Sequence, residues 1–261
     1  MYQHFLKKLT FLSLFILLSF SNLSATQNKE QIKLINIAAK QRMLSQRIAK
    51  DYLYIHKSIA INKTKKDLKI SLSHFFKSQK ILVLAIKNEE IKNLLDFVKL
   101  SSEEFNQTLH QPFTLDNAQL ILDLSESMLE GSQYVVDSLK NSIKVEKSQV
   151  IEIAGKQRML AQRIAKYYIA YQSGIQDENT VRSMKQTVVK FSKNLTILLS
   201  DKNNTPKIRE KINEVNKLWK IVHKFYNNIE KGGLPLIVFN TTDNITKKMN
   251  EITQLYLKFE K

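Results

Sequence analysis

Lys40-Gln41-Arg42-Met43-Leu44-Ser45-Gln46-Arg47-Ile48-Ala49 returns as Lys156-Gln157-Arg158-Met159-Leu160-Ala161-Gln162-Arg163-Ile164-Ala165. Between Ile35–Tyr52 and Ile151–Tyr168, 14 of 18 residues are identical at a constant offset of 116. Elsewhere the two halves agree only in pattern, which is how a duplicated unit reads when one segment is held and the rest drifts.

The pattern around this segment is helical throughout. Apolar residues recur with period 3.6 and no stretch alternates with period two. Glycine and proline are scarce, 5 and 3 residues, and most fall between periodic segments. The spacing predicts helices near 28–60, 66–87, 90–109 and 115–145, then 146–173, 179–199, 206–230 and 236–260. Thr205-Pro206 reads as an N-cap followed by proline at the first helical position. Gly174 closes one helix, and Pro112 and Pro235 mark equivalent junctions. The chain is therefore expected to be all-α, as two tandem antiparallel four-helix bundles with short loops, 26–145 and 146–261. Between Leu115 and Ser173 there is no proline, so a long helix shared by the halves is expected, stacking them end to end. A break near Asn141–Lys147, folding the repeated helices side by side, is the alternative.

Residues 1–25 stand apart. Lys7 and Lys8 precede an apolar run of 12, Leu9–Phe20, and small residues lead to Ala25. This reads as a secretory signal peptide, and export to the periplasm follows; an uncleaved N-terminal anchor is the other reading. Cysteine is absent, which removes disulfides, thiol catalysis and thiolate metal sites. The net charge is +17, or +15 without Lys7 and Lys8. An exported chain has no use for nucleic acid, so the excess reads as a solvated basic surface or as attraction for an anion.

No catalytic constellation appears. His56, His74, His110 and His223 are isolated and give no metal-ligand spacing. Glu89-Glu90 and Glu103-Glu104 are adjacent pairs that point to different helix faces, so neither is an acid/base dyad. There is no phosphate loop and no nucleophile elbow. No enzyme, metal or cofactor is expected.

Set on a helix, Ile35, Ala38, Arg42, Ser45, Ala49 and Tyr52 follow 3-4-3-4-3 spacing, the seam of a coiled coil. Ile151, Ala154, Arg158, Ala161, Ala165 and Tyr168 repeat it. An arginine thus lies in an apolar seam among small residues, where a charge must be paired or hydrogen-bonded. Its fixed fork suits an oxyanion. A carboxylate such as Glu103, Glu104 or Glu126 would serve equally. Met43, Leu44 and Ile48, with Met159, Leu160 and Ile164, are expected to pack inside their own bundles. Gln41, Gln46 and Arg47, and Gln157, Gln162 and Arg163, either complete a polar ring or are solvated.

Ile35 through Arg47 and its second copy resemble the first-helix signature of the PilJ-type sensory domain, the N-terminal domain of type IV pilus methyl-accepting chemotaxis transducers. That domain is similar to the periplasmic domain of the NarX/NarQ nitrate sensors. The resemblance implies a four-helix bundle whose first helix packs against its counterpart and grips an anion with the arginine of Arg-Met. Carried onto this chain, the role falls on Arg42 and Arg158. Ala38, Ala39, Met43 and Ser45, with Ala154, Gly155, Met159 and Ala161, would line the site. The motif stands closer to PilJ than to the nitrate sensors. The chain ends at Lys261 without a transmembrane signalling region, so its signal is expected to leave through a partner.

The expectation is an exported, non-catalytic sensor of a small anion, nitrate or nitrite first, reporting to a membrane-bound sensor kinase or chemoreceptor. The repeated helices would pair either within one chain as a pseudo-dimer or between chains as a homodimer. In the competing reading the seam is only a dimerisation surface for a pilus-associated or other envelope complex.

Overall fold

Eight α-helices make up the described residues, 30–141 and 149–259, of the computed structural model. α1 covers residues 30–56 and α2 is Ile61–Ala85. α3 is Glu89–Thr108 and α4 is Leu115–Asn141. The second half repeats the series: α5 is Gln149–Gln172, α6 is Glu178–Ser200, α7 is Pro206–Asn227 and α8 is Pro235–Phe259. The expected signal segment lies outside the described residues.

Local chemistry sets several of the ends. Asn88 and Asp177 accept from Ile91 N and Thr180 N, each at 3.0 Å, so α3 and α6 start on side-chain caps. Thr205 caps α7 through Ile208 N at 3.3 Å, with Pro206 inside the first turn as expected. Gly174, at φ 104°, follows α5. The turn between α1 and α2 comes a few residues earlier than expected, because Ser58 and Ala60 adopt left-handed backbone (φ 56° and 47°) and turn the chain there.

Antiparallel contacts define each half. Within the first, Gln41 of α1 reaches Gln79 of α2, and Gln79 reaches the Leu95 carbonyl of α3. Arg42 and Gln46 of α1 meet Gln133 and Ser125 of α4. Within the second, Gln157 of α5 donates to the Phe191 carbonyl of α6, and Gln162 to Thr246 of α8. Phe191 and Trp219 pack 4.2 Å apart, centroid to centroid, between α6 and α7.

The join is where the structure departs from expectation. Residues 142–148 lie outside the described set, but their flanks fix the geometry. Lys140 of α4 pairs with Glu152 of α5 at 2.7 Å, and Glu126 pairs with Arg163 at 2.6 Å. In a continuous helix, residues 126 and 163 would stand roughly 55 Å apart at about 1.5 Å per residue. The long shared helix is therefore corrected: α4 and α5 form an antiparallel hairpin, the alternative the sequence leaves open.

That hairpin brings four helices into a central ring. α1 contacts α4, α4 contacts α5 and α5 contacts α8; the ring closes where Lys50 meets Asp243 and Tyr54 donates to the Pro235 carbonyl, joining α1 to α8. α2 and α3 flank the ring in one half, α6 and α7 in the other. The cores merge across the join. Ile169, Ala170 and Ile175 of the second half and Phe239 of α8 pack in the cluster around Leu44, Ile48 and Phe75. Leu129 of α4 joins the second half's cluster.

One close approach is unforgiving. A Cβ on Gly233 would stand 1.6 Å from Tyr168 Oη, inside the buried tyrosine group that includes Tyr226. Gly233→Ala should cost about 1–3 kcal/mol through overpacking, seen as a fall of several degrees in the thermal melt. The loss should shrink in a Tyr168→Phe background, where the clashing hydroxyl is gone.

Candidate functional site

The repeated helices are buried on nearly every side. From Gln41 to Tyr54 only Met43 and Arg47 are even partly exposed. A helix enclosed this way faces its own bundle on one side and the opposite half on the other. The seam residues Ile35, Ala38, Ser45, Ala49 and Tyr52 are all buried, as are Ile151, Ala154, Ala161, Ala165 and Tyr168. Ala39 and Gly155 are half-buried. The seam is consumed within one chain.

Both arginines reach neutral amides. Arg42, 4% exposed, donates from Nη1 to Gln133 Oε1, and its Nε has no partner. Arg158 donates to Asn250 Oδ1 at 2.7 Å and to the Gly155 carbonyl at 3.4 Å. Neither forms an ion pair among the described residues. Glu126 is taken by other cations, and Glu103 faces Lys99 at 3.9 Å.

The two guanidinium groups nevertheless differ electrostatically. Burial pushes the Arg158 pKa down to about 10, and the charge of Arg42 pushes the same way. Burial lowers Arg42 too, but Asp137 and Glu152 act against it. Lys40 is lowered by burial and by the nearby Arg158 charge. The guanidinium of Arg42 thus has carboxylate charge nearby, and that of Arg158 has the charge of Arg42 instead.

The remaining expected positions separate into two groups. Gln41 and Gln157 turn toward the outer helices α2 and α6, at 2.8 and 3.0 Å, and do not support the arginines. Ser45 Oγ donates to the Arg42 carbonyl at 3.0 Å. Gln46 donates to the Ser125 carbonyl at 2.9 Å, and Gln162 to Thr246 Oγ1 at 2.8 Å. Met159 packs inside the second half as expected. Met43 does not stay in its own bundle: it packs against both cores and lines a groove between α1 and α8.

Two lysines of the repeat were not singled out from the sequence. Lys50 and Lys166 are fully buried equivalents, and each is neutralised by the opposite half. Lys50 Nζ lies 2.7 Å from Asp243 on α8, and Lys166 Nζ 2.5 Å from Glu126 on α4. Arg163 joins Glu126, while Arg47 stands 3.4–3.8 Å from Asp51, Asp67 and Asp243. The signal was present in the repeat, since Arg-Ile-Ala-Lys is identical in both copies.

The carboxylates in these clamps are shifted in opposite directions. Burial opposes ionisation of Glu126, but Lys166 and Arg163 outweigh it and hold the carboxyl at about 2. Asp243 is likewise lowered, with Lys50 and Arg47 overcoming burial. Asp51 goes the other way. Burial raises it to about 6, the neighbouring Asp243 adds to that, and Lys50 and Arg47 offset only part.

Residues 139–257 match the PilJ family, described as "Type IV pili methyl-accepting chemotaxis transducer N-term". No curated protein and no solved structure matches the chain.

Two variants probe the clamps. Glu126→Ala strands a buried lysine and should lower stability by about 3–5 kcal/mol in urea melts. Adding Lys166→Met should restore much of it. Asp51 is protonated more readily folded (about 6) than unfolded (3.8), so its neutral form favours the fold and that contribution disappears as pH rises through 6. Asp51→Asn should therefore match wild type near pH 4 and exceed it by about 1–3 kcal/mol at pH 8.

Proposed function

With residues 139–257 carrying a PilJ-type sensory domain, we propose that the whole chain is a tandem sensor. Residues 26–145 are then a diverged copy of 146–261, and the chain is its own pseudo-dimer. The match over residues 139–257 supports a non-catalytic role in a chemoreceptor-type signalling context. The ligand in this reading is a small oxyanion, nitrate or nitrite first, held where Arg42 and Arg158 approach each other. The chain works in the periplasm, reached through the signal segment at residues 1–25. Binding is passed on to a membrane-bound sensor kinase or chemoreceptor. Among the described residues no helix is long and apolar enough to cross a membrane.

One observation carries the reading: the two equivalent arginines, Arg42 buried and Arg158 half-buried, are bonded to amides rather than carboxylates, and the charge of Arg42 bears on Arg158. A bound anion relieves that repulsion and satisfies donors such as Arg42 Nε. An occupied site would draw α1 and α5 together, and the ring through α4 and α8 provides the route by which occupancy alters the far ends of the bundle.

Titration calorimetry of the purified protein with nitrate and nitrite at fixed ionic strength is the direct test. Micromolar to millimolar binding is expected, weakened at least tenfold by Arg158→Ala or Arg42→Ala. Heat-silent titrations with no thermal stabilisation by either anion, or binding indifferent to both substitutions, would rule the reading out.

A further inference from the structure

The 116-residue symmetry of the chain is broken at one place that matters for ligands. α4 and α5 run together at one end of the ring, and α1 and α8 run together at the equivalent end. Glu152 lies between Lys140 and Lys156 at 2.7 and 2.6 Å, near enough to Arg42 to support its charge.

On the α1/α8 side both parts of that cluster are replaced. Asn36 stands where Glu152 stands in the other copy, so Lys40, the equivalent of Lys156, has no carboxylate across from it. Tyr256 replaces Lys140 and is engaged elsewhere, donating to Asn204 within the second half. A groove of about 1390 Å³ opens there, with Arg158 and Asn250 among its lining residues.

The lining has two characters. Lys40, Arg158, Lys247 and Lys258 contribute positive charge and form no ion pair among the described residues. The groove's two acids, Asp67 and Asp243, are already engaged by Arg47 and Lys63. Ile37, Met43 and Leu257 add apolar surface beside the cations. Such a volume is ample for an ion not much larger than a water molecule's share of about 30 Å³. It exceeds the range of about 300–1,000 Å³ typical of organic ligands.

We infer that the α1/α8 groove is a binding site for an organic carboxylate with a compact apolar body. The carboxylate sits against Lys40 and Arg158, with the amides of Asn36 and Asn250 as further partners. The apolar body lies on Ile37, Met43 and Leu257. The α4/α5 face carries its own carboxylate, Glu152, in the corresponding place and is not a site. The inference rests on the sensor reading but gives the two arginines unequal roles: Arg158 meets the ligand, while Arg42 stays matched to Gln133, Asp137 and Glu152.

The test compares sodium acetate, hexanoate, benzoate, phenyl phosphate and nitrate by calorimetry and thermal shift at constant ionic strength. Hexanoate or benzoate should bind at least tenfold more tightly than acetate, and more tightly than phenyl phosphate. Asn36→Glu installs the carboxylate that position 152 already accommodates, so the fold should survive while binding falls at least tenfold. Leu257→Ala should weaken hexanoate and leave acetate unchanged. The inference is overturned if hexanoate and benzoate bind no better than acetate, if phenyl phosphate binds more tightly, or if Asn36→Glu leaves their affinity intact. Nitrate binding alongside any of those results would remove this inference and leave the sensor reading standing. Silence from every anion would remove both.

Discussion

Each repeated helix buries a lysine with no exposure, and the carboxylate that meets it comes from the other half of the chain. Lys50 meets Asp243, and Lys166 meets Glu126. Removing an ammonium group from water is costly unless a counter-charge lies within contact distance. Neither half supplies a sufficient one to its own repeated helix. Lys50 does have Asp51 at 3.3 Å, but burial disfavours that carboxylate's ionised form. The two halves are therefore electrostatically incomplete apart, and the central ring of α1, α4, α5 and α8 follows from completing them.

The ring gives a physical reason for one segment to recur nearly unchanged while the helices around it share only a pattern. An ordinary bundle helix has a buried stripe and a solvated face, and the solvated face tolerates change. α1 and α5 lack that freedom, because each packs against its own outer helices on one side and the opposite half on the other. Gln41 and Gln157 look outward to α2 and α6, while Lys50 and Lys166 reach across the join. Almost every position in the segment is in contact. The four differences within it are then informative: Glu152 pairs with Lys140 and Lys156, while Asn36 lines the groove between α1 and α8.

Much of the fold could be read in advance. Helix number, order and most boundaries follow from period 3.6, the Thr205-Pro206 cap and the few glycines and prolines. The α1–α2 turn came early because Ser58 and Ala60, neither a usual turn residue, take up left-handed backbone. The seam was legible as well, since its spacing is a property of one helix: Arg42 and Arg158 sit in it with small neighbours. The partners were not legible. Gln133 and Asn250 hold the arginines, while Glu126, a plausible partner for Arg42, belongs to Arg163 and Lys166. Periodicity gives the face of a residue but not the register of the helix opposite. Gln41 and Gln157 were misjudged for the same reason, because a glutamine on the flank of a seam is solvated or buried according to what lies beside it.

The sequence by itself determined that the protein is all-α, that one 18-residue segment recurs at an offset of 116, and that an arginine recurs among small residues in it. Those conclusions depend only on spacing along the chain. Only the tertiary structure decided that α4 folds back on α5, that both repeated helices lie in one ring within one molecule, and that the two arginines stand in unequal surroundings. Residues 126 and 163 are far apart along any helix and in contact across a hairpin. Choosing between those outcomes depends on long-range packing and on the charges of Lys50, Lys166, Glu126 and Asp243, whose meeting no local pattern records.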